Sequence, residues 1–336
     1  RNKKLFKNKE IKKKEYNSKL SVLLTTSGST GTPKLAKLSY DNLNFNAISI
    51  SKYSNISSKD VMVTTLNPAY SFGLSMINSH LLKGAKIILN KYSIISKNFF
   101  EKLSEFKVST VGGVPFMYEI FDRLKIFEKK NFINKLLQAG GSLNIDLQKK
   151  FANICNKKKI RFFIMYGQTE ASPRISYLPP EKFSKKIGSI GIPIPQGKIE
   201  IVDENGDLLT KPYKVGEMVY YGKNVFLGYA QNIKDLKKKD NNFGKLNTGD
   251  FAYRDQESFF YIVGRKKRIV KLFGKRINLD EIEKIINKSN IINACISRKE
   301  KLIVFICNKK ISSVVTKILN KNLNLNKIAF EIKHIS

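Results

Sequence analysis

Short apolar runs alternate with helical patterns between residues 21 and 124. The runs are rich in β-branched residues, which favour strands, and the segments between them have the apolar spacing of helices. Predicted strands lie at Ser21–Thr26, 35–39, Val61–Leu66, Lys86–Leu89 and Val108–Val111. The first predicted helix ends at Ile50, and the others span Leu74–Leu82, Phe99–Phe106 and Phe116–Leu124. Either Ser39 or Asp41 is suited to cap the first helix. This order predicts an α/β fold with mostly parallel sheets and flanking helices on both faces.

The pattern changes near Gly188, where short strands begin to alternate with turns such as Asp203–Asp207. Closely spaced strands and turns are typical of antiparallel structure. A strand, a turn and a helix then follow Gly264, and further strands follow them. We therefore expect a charged lead-in over 1–19, an α/β domain over 20–187, a β-rich subdomain over 188–263, a hinge over 264–267 and a small mobile α+β C-terminal domain over 268–336.

Composition narrows the classes of function. Lys and Arg total 62 against 27 Asp and Glu, a formal charge of +35. Such a balance suits a polyanion partner, but the charge is spread along the whole chain together with abundant Asn and Ile. We favour compositional drift and expect no specific nucleic-acid partner. The three cysteines (Cys155, Cys295 and Cys307) have no metal-ligand spacing, and two histidines argue against a zinc site or a Ser/His/Asp triad.

We expect neither a transmembrane segment nor a signal peptide in this sequence. No apolar run approaches the ~18 residues that a membrane span needs, and no signal peptide opens the chain. Together with the widely spaced cysteines, this predicts a cytoplasmic protein without a transmembrane segment. The chain begins at Arg1 and not at Met, so we expect a truncated start.

The densest chemical signal is the segment from Thr25 to Lys34, TTSGSTGTPK. Its glycines let backbone N–H groups approach an anion, its hydroxyls add donors, and Lys34 supplies a positive charge. A loop of this kind directly after a strand suits a polyphosphate. It matches neither the GxxxxGK[ST] P-loop nor the GxGxxG dinucleotide turn. On composition alone, an ordinary Ser/Gly/Thr-rich surface turn is the alternative.

This segment resembles the phosphate-binding signature of the adenylate-forming superfamily, which includes acyl- and aryl-CoA synthetases, peptide-synthetase adenylation domains and luciferases. Further segments resemble other motifs of that superfamily, in the same order, as far as about residue 283. They are NPAYSFGL at 67–74, GGVP at 112–115, AGGS at 139–142, MYGQTE at 165–170, GSIGIP at 188–193, Gly216-Glu217 through Gly228-Tyr229, NTGD at 247–250 and Gly264-Arg265.

The resemblance implies an enzyme that uses ATP and Mg²⁺ to activate a carboxylic acid as an acyl-adenylate, with AMP as a later product. The acyl group then passes to a thiol, either of coenzyme A or of a carrier-protein phosphopantetheine. Both steps move negative charge between oxygens, so positioning and electrostatics dominate the catalysis. The implied phosphate and metal contacts are Thr26, Ser27, Gly28, Ser29, Thr30, Gly31 and Lys34 for the β- and γ-phosphates, Thr169 for the α-phosphate and Glu170 for Mg²⁺.

The same resemblance implies the remaining contacts. Asp250 would accept hydrogen bonds from the ribose hydroxyls, Arg265 would add a second ribose or phosphate contact, and Lys267 falls at the hinge. Tyr70 and Gly113 fall in the acid pocket. The implied adenine-side residues are Gly140, Gly141, Ser142, Tyr166, Gly167 and Gln168.

The acid pocket leaves the substrate open. Where amino-acid-activating relatives place an Asp, residues 68–72 contain no acid, and a buried ammonium without a partner is costly. This disfavours an α-amino acid and favours a small or medium organic acid or a fatty acid. Tyr70 stands where many acyl- and aryl-CoA synthetases have His. A stand-alone adenylation domain that loads a carrier protein and a non-catalytic remnant are the alternative functions.

Three departures from the superfamily pattern lead us to expect a fragment that is incomplete for adenylation. The residues that usually precede the phosphate loop are missing. The usual catalytic lysine segment would come just after Ser336. Ser258 replaces the glycine of the usual Asp-x-x-Gly turn, a change that a turn tolerates at modest cost.

Overall fold

A computed structural model describes residues 16–26, 34–127, 132–272, 275–298, 301–323 and 330–335. The chain divides into two compact units. The first contains Arg1–Glu200, Val219–Asn247 and Asp255–Tyr261, and the second contains Ile201–Met218, Thr248–Arg254 and Ile262–Ser336.

The elements of the described residues are numbered in chain order. The strands are β1 (Leu20–Thr26), β2 (Lys34–Ser39), β3 (Val61–Val63), β4 (Lys86–Ile88), β5 (Thr110–Gly113), β6 (Lys135–Gln138), β7 (Arg161–Gly167), β8 (Arg174–Leu178), β9 (Ile192–Pro193), β10 (Lys198–Val202), β11 (Gly216–Tyr221), β12 (Tyr229–Ala230), β13 (Lys245–Arg254), β14 (Phe260–Arg265), β15 (Ile269–Leu272), β16 (Lys275–Asn278), β17 (Asn293–Arg298), β18 (Lys301–Ile306) and β19 (Phe330–His334). The helices are α1 (Tyr40–Tyr53), α2 (Ser71–Leu81), α3 (Lys97–Glu105), α4 (Pro115–Arg123), α5 (Ile145–Lys158), α6 (Leu279–Asn287) and α7 (Ser312–Leu323).

A seven-stranded sheet forms the centre of the first unit, in the order β4–β3–β5–β6–β7–β8–β9. Its strands from β4 through β7 are parallel, whereas β8 and β9 join antiparallel at one edge. The mostly parallel sheet predicted from the alternating pattern is therefore confirmed.

Both faces of this sheet are buried, because successive side chains of its strands belong to different apolar clusters. Leu136 and Phe162 pack with Tyr118 and Phe151 in one cluster. Their chain neighbours Leu137 and Phe163 pack with Phe72 and Met76 in the other. Such burial explains why these strands read as continuous apolar runs.

The strands that flank the phosphate-loop segment lie in a separate sheet, in the order β1–β2–β12. Both β1 and β12 pair antiparallel with β2. Seven residues separate β1 from β2, which is too short for the crossover that a parallel pair needs. The first predicted strand therefore does not join the parallel sheet.

Helix α1 begins with a reciprocal cap at Ser39, one of the two predicted cap residues. The Ser39 hydroxyl accepts the Asn42 N–H at 3.0 Å, and the Asn42 side-chain oxygen accepts the Ser39 N–H at 2.9 Å. The Asn42 amide also donates to the carbonyls of Lys223 (2.7 Å) and Val225 (2.8 Å). The cap thus ties the helix to a distant part of the chain.

A four-stranded sheet has the order β10–β11–β13–β14. At Ser258, the φ angle is +64°, so serine accepts the left-handed turn conformation expected of the missing glycine. The second unit holds the β15–β16 hairpin and the sheet β17–β18–β19, in which β19 runs parallel to β18. Helices α6 and α7 contribute Ile282, Ile286 and Val315 to its core. No helix in the described ranges is long and apolar enough to cross a membrane.

Candidate functional site

The base of the phosphate-loop segment is closed by Thr26 and Lys34. These residues are paired across β1 and β2, and the Thr26 hydroxyl donates to the Lys34 carbonyl at 3.2 Å. The hairpin therefore brings the two ends of the loop together. The predicted phosphate contacts Ser27, Gly28, Ser29, Thr30 and Gly31 lie outside the described residues.

Tyr229 connects the hairpin with the predicted metal ligand. It belongs to β12, where it pairs with Ala36 of β2, and the Lys34 ammonium lies 5.4 Å from the centre of its ring. Its phenol donates to Oε1 of Glu170 at 2.6 Å. Burial raises the pKa of Tyr229, and the hydrogen bond to Glu170 and the charge of that carboxylate raise it further. The phenol therefore keeps its proton and remains a donor.

Glu170 lies in a 3₁₀ turn, Thr169–Ala171, that follows β7. Its side chain is 8% exposed, and no lysine or arginine in the described part of the chain forms an ion pair with it. Within the same part, no three His, Cys, Asp or Glu side chains cluster as a self-sufficient metal site. A lone carboxylate fits Mg²⁺, which takes few protein ligands and completes its shell with phosphates and water.

Thr169 and Gly167 fix the approach to this turn. The Thr169 hydroxyl lies 3.1 Å from that of Ser71, the first residue of α2. A Cβ atom on Gly167 would lie 1.8 Å from the carbonyl oxygen of Pro173. Only glycine fits at this close backbone crossing.

The predicted adenine-side glycines follow β6. Gly140 has a φ of +80°, and a Cβ there would lie 2.6 Å from the Tyr70 hydroxyl. The Gln138 amide donates to the Gly141 carbonyl at 2.9 Å. Ser142 is exposed. Tyr70, predicted to line the acid pocket, is therefore brought against the predicted adenine segment.

Three further predicted residues lie near the ends of the parallel strands. Gly113 ends β5, and a Cβ there would be 3.2 Å from the ring of Tyr118. Tyr166 and Gln168 are partly buried, and Tyr166 lies on β7 opposite Ser176 of β8. Strand ends of this kind are where α/β sheets bind ligands.

Asp250 and Arg265 come together within the second unit. Asp250 is 6% exposed, and one carboxylate oxygen lies 3.5 Å from Nε of the exposed Arg265. The Asp250 N–H donates to the Thr248 hydroxyl at 3.2 Å, and that hydroxyl donates to the Met218 carbonyl at 2.7 Å. The turn thus holds the carboxylate in a fixed position.

The basic run after Arg265 is ion-paired at its two ends. Lys266 lies 2.6 Å from Glu217, and Arg268 lies 2.7 Å from both Asp280 and Glu283. Lys267, between them, is exposed in the 3₁₀ turn Lys266–Arg268. Its role as a hinge stays a prediction.

Sequence analysis missed three residues of this region: Ser71, Arg174 and Tyr229. Tyr229 was grouped with the β-rich subdomain, yet its partner Glu170 is 59 residues away. No local pattern in the sequence signals such a pairing. Arg174, only four residues beyond Glu170, is 2% exposed, and its position directly after a motif was the available signal.

A mostly parallel sheet whose strand ends carry glycines and a buried carboxylate is typical of the class of α/β proteins that bind ligands at the ends of their strands. Residues 2–230 match the model of the family described as AMP-binding enzyme, and the chain belongs to this family. The match covers both the hairpin that flanks the phosphate-loop segment and the Glu170–Tyr229 contact.

Two curated relatives give the extent of the likeness. Luciferin 4-monooxygenase of Nipponoluciola cruciata is 27% identical over 287 residues, which cover 84% of this chain and 51% of that protein. The 2-succinylbenzoate–CoA ligase of Bacillus subtilis is 27% identical over 270 residues, covering 79% of this chain and 53% of the ligase. The chain therefore spans about half the length of these relatives.

Solved structures confirm the fold. The o-succinylbenzoate CoA synthetase of Bacillus subtilis, in complex with ATP and a magnesium ion, is 24% identical and superposes with a TM-score of 0.73, covering 93% of this chain and 66% of its own. Its complex with the acyl-adenylate intermediate OSB-AMP superposes with a TM-score of 0.75, covering 93% of this chain and 65% of its own.

Proposed function

We propose that this chain carries the nucleotide- and acid-binding site of an AMP-forming acid–thiol ligase. A carboxylate oxygen of the substrate would attack the α-phosphorus of ATP, and pyrophosphate would leave with the electron pair of the broken P–O bond. A thiolate would then displace AMP from the acyl-adenylate. The observation that carries this proposal is the Tyr229–Glu170 contact of 2.6 Å at the base of the phosphate loop.

The residues of the first unit divide the work. Lys34 would offset phosphate charge, and the Thr169 hydroxyl would donate to the α-phosphate. Glu170 would hold Mg²⁺, which supplies charge neutralisation at the phosphates when bound. Tyr229 occupies one carboxylate oxygen of Glu170 and leaves the other for the metal, so it orients the ligand.

Other residues would bind the adenine and the ribose of the nucleotide. Tyr166 would flank the adenine, with Gly140, Gly141 and Gln168 as its walls. In the second unit, Asp250 would accept the ribose hydroxyls, because an ionised carboxylate accepts two strong hydrogen bonds.

Coenzyme A is the proposed thiol, because the Bacillus relatives are named as CoA ligases. Thioester formation with a carrier protein, but not with coenzyme A, would support the carrier-loading alternative. The absence of an acidic residue at 68–72 favours a carboxylic acid without an α-ammonium group.

Isothermal titration calorimetry with AMP and with Mg²⁺·ATP tests the proposal. We expect Glu170→Gln to weaken Mg²⁺·ATP binding at least about tenfold, as expected when a metal site is disturbed, and to leave AMP affinity unchanged. Glu181→Gln, at an exposed glutamate, is the matched control. Absence of AMP and ATP binding by the wild type would overturn the function, whereas unchanged Mg²⁺·ATP affinity in Glu170→Gln would overturn the metal role alone.

A further inference from the structure

Arg174 is a buried cation without an anionic partner in the described structure. It opens β8, is 2% exposed, and its Nη2 atom has no hydrogen-bond partner. Its guanidinium carbon lies 4.2 Å from the centre of the Phe72 ring. Its Nε contacts the sulfur of Met165 at 3.4 Å, and the Tyr53 hydroxyl reaches the same sulfur at 3.0 Å. Aromatic rings, a thioether and the Tyr53 hydroxyl, which is hydrogen-bonded to Arg174, thus surround the charge.

The other buried cations of the first unit differ from Arg174 in this respect. Lys135 is fully buried and lies 3.0 Å from the carboxylate of Asp60. Lys37 is 1% exposed, and its ammonium donates to the carbonyls of Asp235 (2.9 Å) and Lys238 (3.1 Å). A buried charge is costly unless it is paired and hydrogen-bonded. Ring faces offset part of that cost for Arg174 but supply no hydrogen-bond acceptor to Nη2.

Arg174 is close to the residues assigned to the reaction. Phe72, whose ring lies against the guanidinium carbon, is the second residue of α2. The residue before it, Ser71, contacts Thr169 at 3.1 Å. Tyr70, which precedes Ser71, places its hydroxyl against Gly140. Residues 70–72 therefore connect the proposed α-phosphate contact, the adenine segment and the guanidinium.

The contact with Phe72 leaves Nη2 of Arg174 without a hydrogen-bond acceptor. The guanidinium carbon lies over the Phe72 ring, and a carboxylate binds a guanidinium through its edge with two parallel N–H···O bonds. The Nη2 atom, which lacks a partner, belongs to that edge.

We infer that Arg174 recognises a second anionic group on the acid, so that the substrate of this ligase is a dicarboxylic acid. This inference rests on the proposed function. One carboxylate is activated at the α-phosphate, and the other is unchanged by the reaction and pairs with Arg174. A monocarboxylic acid of the same length leaves the guanidinium unpaired and binds more weakly.

The test compares acyl-adenylate mimics that need no catalysis. Succinyl-, glutaryl- and adipoyl-sulfamoyl adenosine are titrated calorimetrically beside their monocarboxylic counterparts of equal carbon number, with AMP as the reference ligand. We expect the wild type to bind at least one carboxylated mimic about tenfold or more tightly than its counterpart, because the added pair is a charge-assisted one in a site shielded from water. Arg174→Gln should abolish this preference and Arg174→Lys should retain part of it, while AMP affinity stays unchanged in both.

Arg161→Gln, at the start of β7, is the matched control and should keep the preference. Thermal melts show whether each variant folds, and the wild-type comparison decides the inference even if Arg174→Gln does not fold. Wild-type protein that binds AMP without preferring any carboxylated mimic would overturn this inference alone. Protein that binds neither AMP nor the mimics would overturn the proposed function. A preference that persists in folded Arg174→Gln would show that another residue reads the second carboxylate.

Discussion

His80 makes the stability of the first unit depend on pH. It lies near the end of α2 and is fully buried. Its Nδ1 is 2.7 Å from the Met76 carbonyl, so Nδ1 carries the proton. Its Nε2 is buried without a partner in the described structure. Burial lowers the pKa of His80 from 6.5 to about 4, against the opposing effect of the Met76 carbonyl; of the nearby charges, Lys135 lowers it further and Asp60 raises it.

Whether the free energy of unfolding rises or falls with pH depends on how many protons the folded and unfolded states bind. Between pH 6.5 and about 4, the unfolded chain protonates this imidazole while the folded chain does not. The free energy of unfolding therefore falls as the pH falls through this window. From pH 7 to pH 5, the two pKa values give a loss of about 2 kcal/mol. This window lies above the range in which Asp60 titrates, because hydrogen bonds from Ser57 and Lys135 outweigh its burial and keep its pKa below 3.8.

Urea denaturation followed by far-UV circular dichroism at pH 7 and pH 5 measures the effect. In His80→Leu, we expect the loss between the two pH values to be about 2 kcal/mol smaller than in the wild type. His334→Gln is the matched control, since His334 is the other histidine and is exposed, and it should retain the wild-type pH dependence. An equal loss in His80→Leu and the wild type would refute the argument.

Two further predictions concern single hydrogen bonds. Tyr229→Phe removes the donor to Glu170 Oε1, so Mg²⁺·ATP affinity should fall about tenfold. AMP affinity, titrated in parallel, should stay constant. A Tyr229→Phe protein that binds Mg²⁺·ATP as tightly as the wild type would contradict the orienting role. Ser39→Ala removes the acceptor for the Asn42 N–H and should lower the free energy of unfolding by about 1 kcal/mol, whereas Ser142→Ala, at an exposed serine, should change it little. A Ser39→Ala protein as stable as the wild type in urea would show that the cap is dispensable.

The fold class was predictable because the alternation of apolar runs and helical spacing is local. The first and last residues of the helices and strands were less predictable. The strand predicted at Val61–Leu66 is Val61–Val63, and the helix predicted at Leu74–Leu82 is Ser71–Leu81. At Leu66, the chain has already left the strand, and a Cβ on Gly73 would lie 2.3 Å from the Asn67 carbonyl. This close approach of loop and helix is a tertiary contact that periodicity does not report.

The candidate site was predictable where a motif carried it. Glu170 and Asp250 came from contiguous segments, and the structure places both in buried positions. Their roles remain predictions. Tyr229 and Arg174 could not be found in this way, because they stand out only through their surroundings. Tyr229 contacts a carboxylate 59 residues away, and among the described residues Nη2 of Arg174 has no hydrogen-bond partner.

The position of Tyr229 has a thermodynamic consequence. One face of its ring meets Lys34, its backbone is paired with β2, and its hydroxyl holds Glu170. A polyphosphate that draws Lys34 towards itself and a cation that draws Glu170 therefore act on the same tyrosine. Coupling free energies are reciprocal, so under the proposed function the factor by which the cation changes polyphosphate affinity equals the factor by which the polyphosphate changes cation affinity. A single phenol would thereby link the two proposed ligand sites.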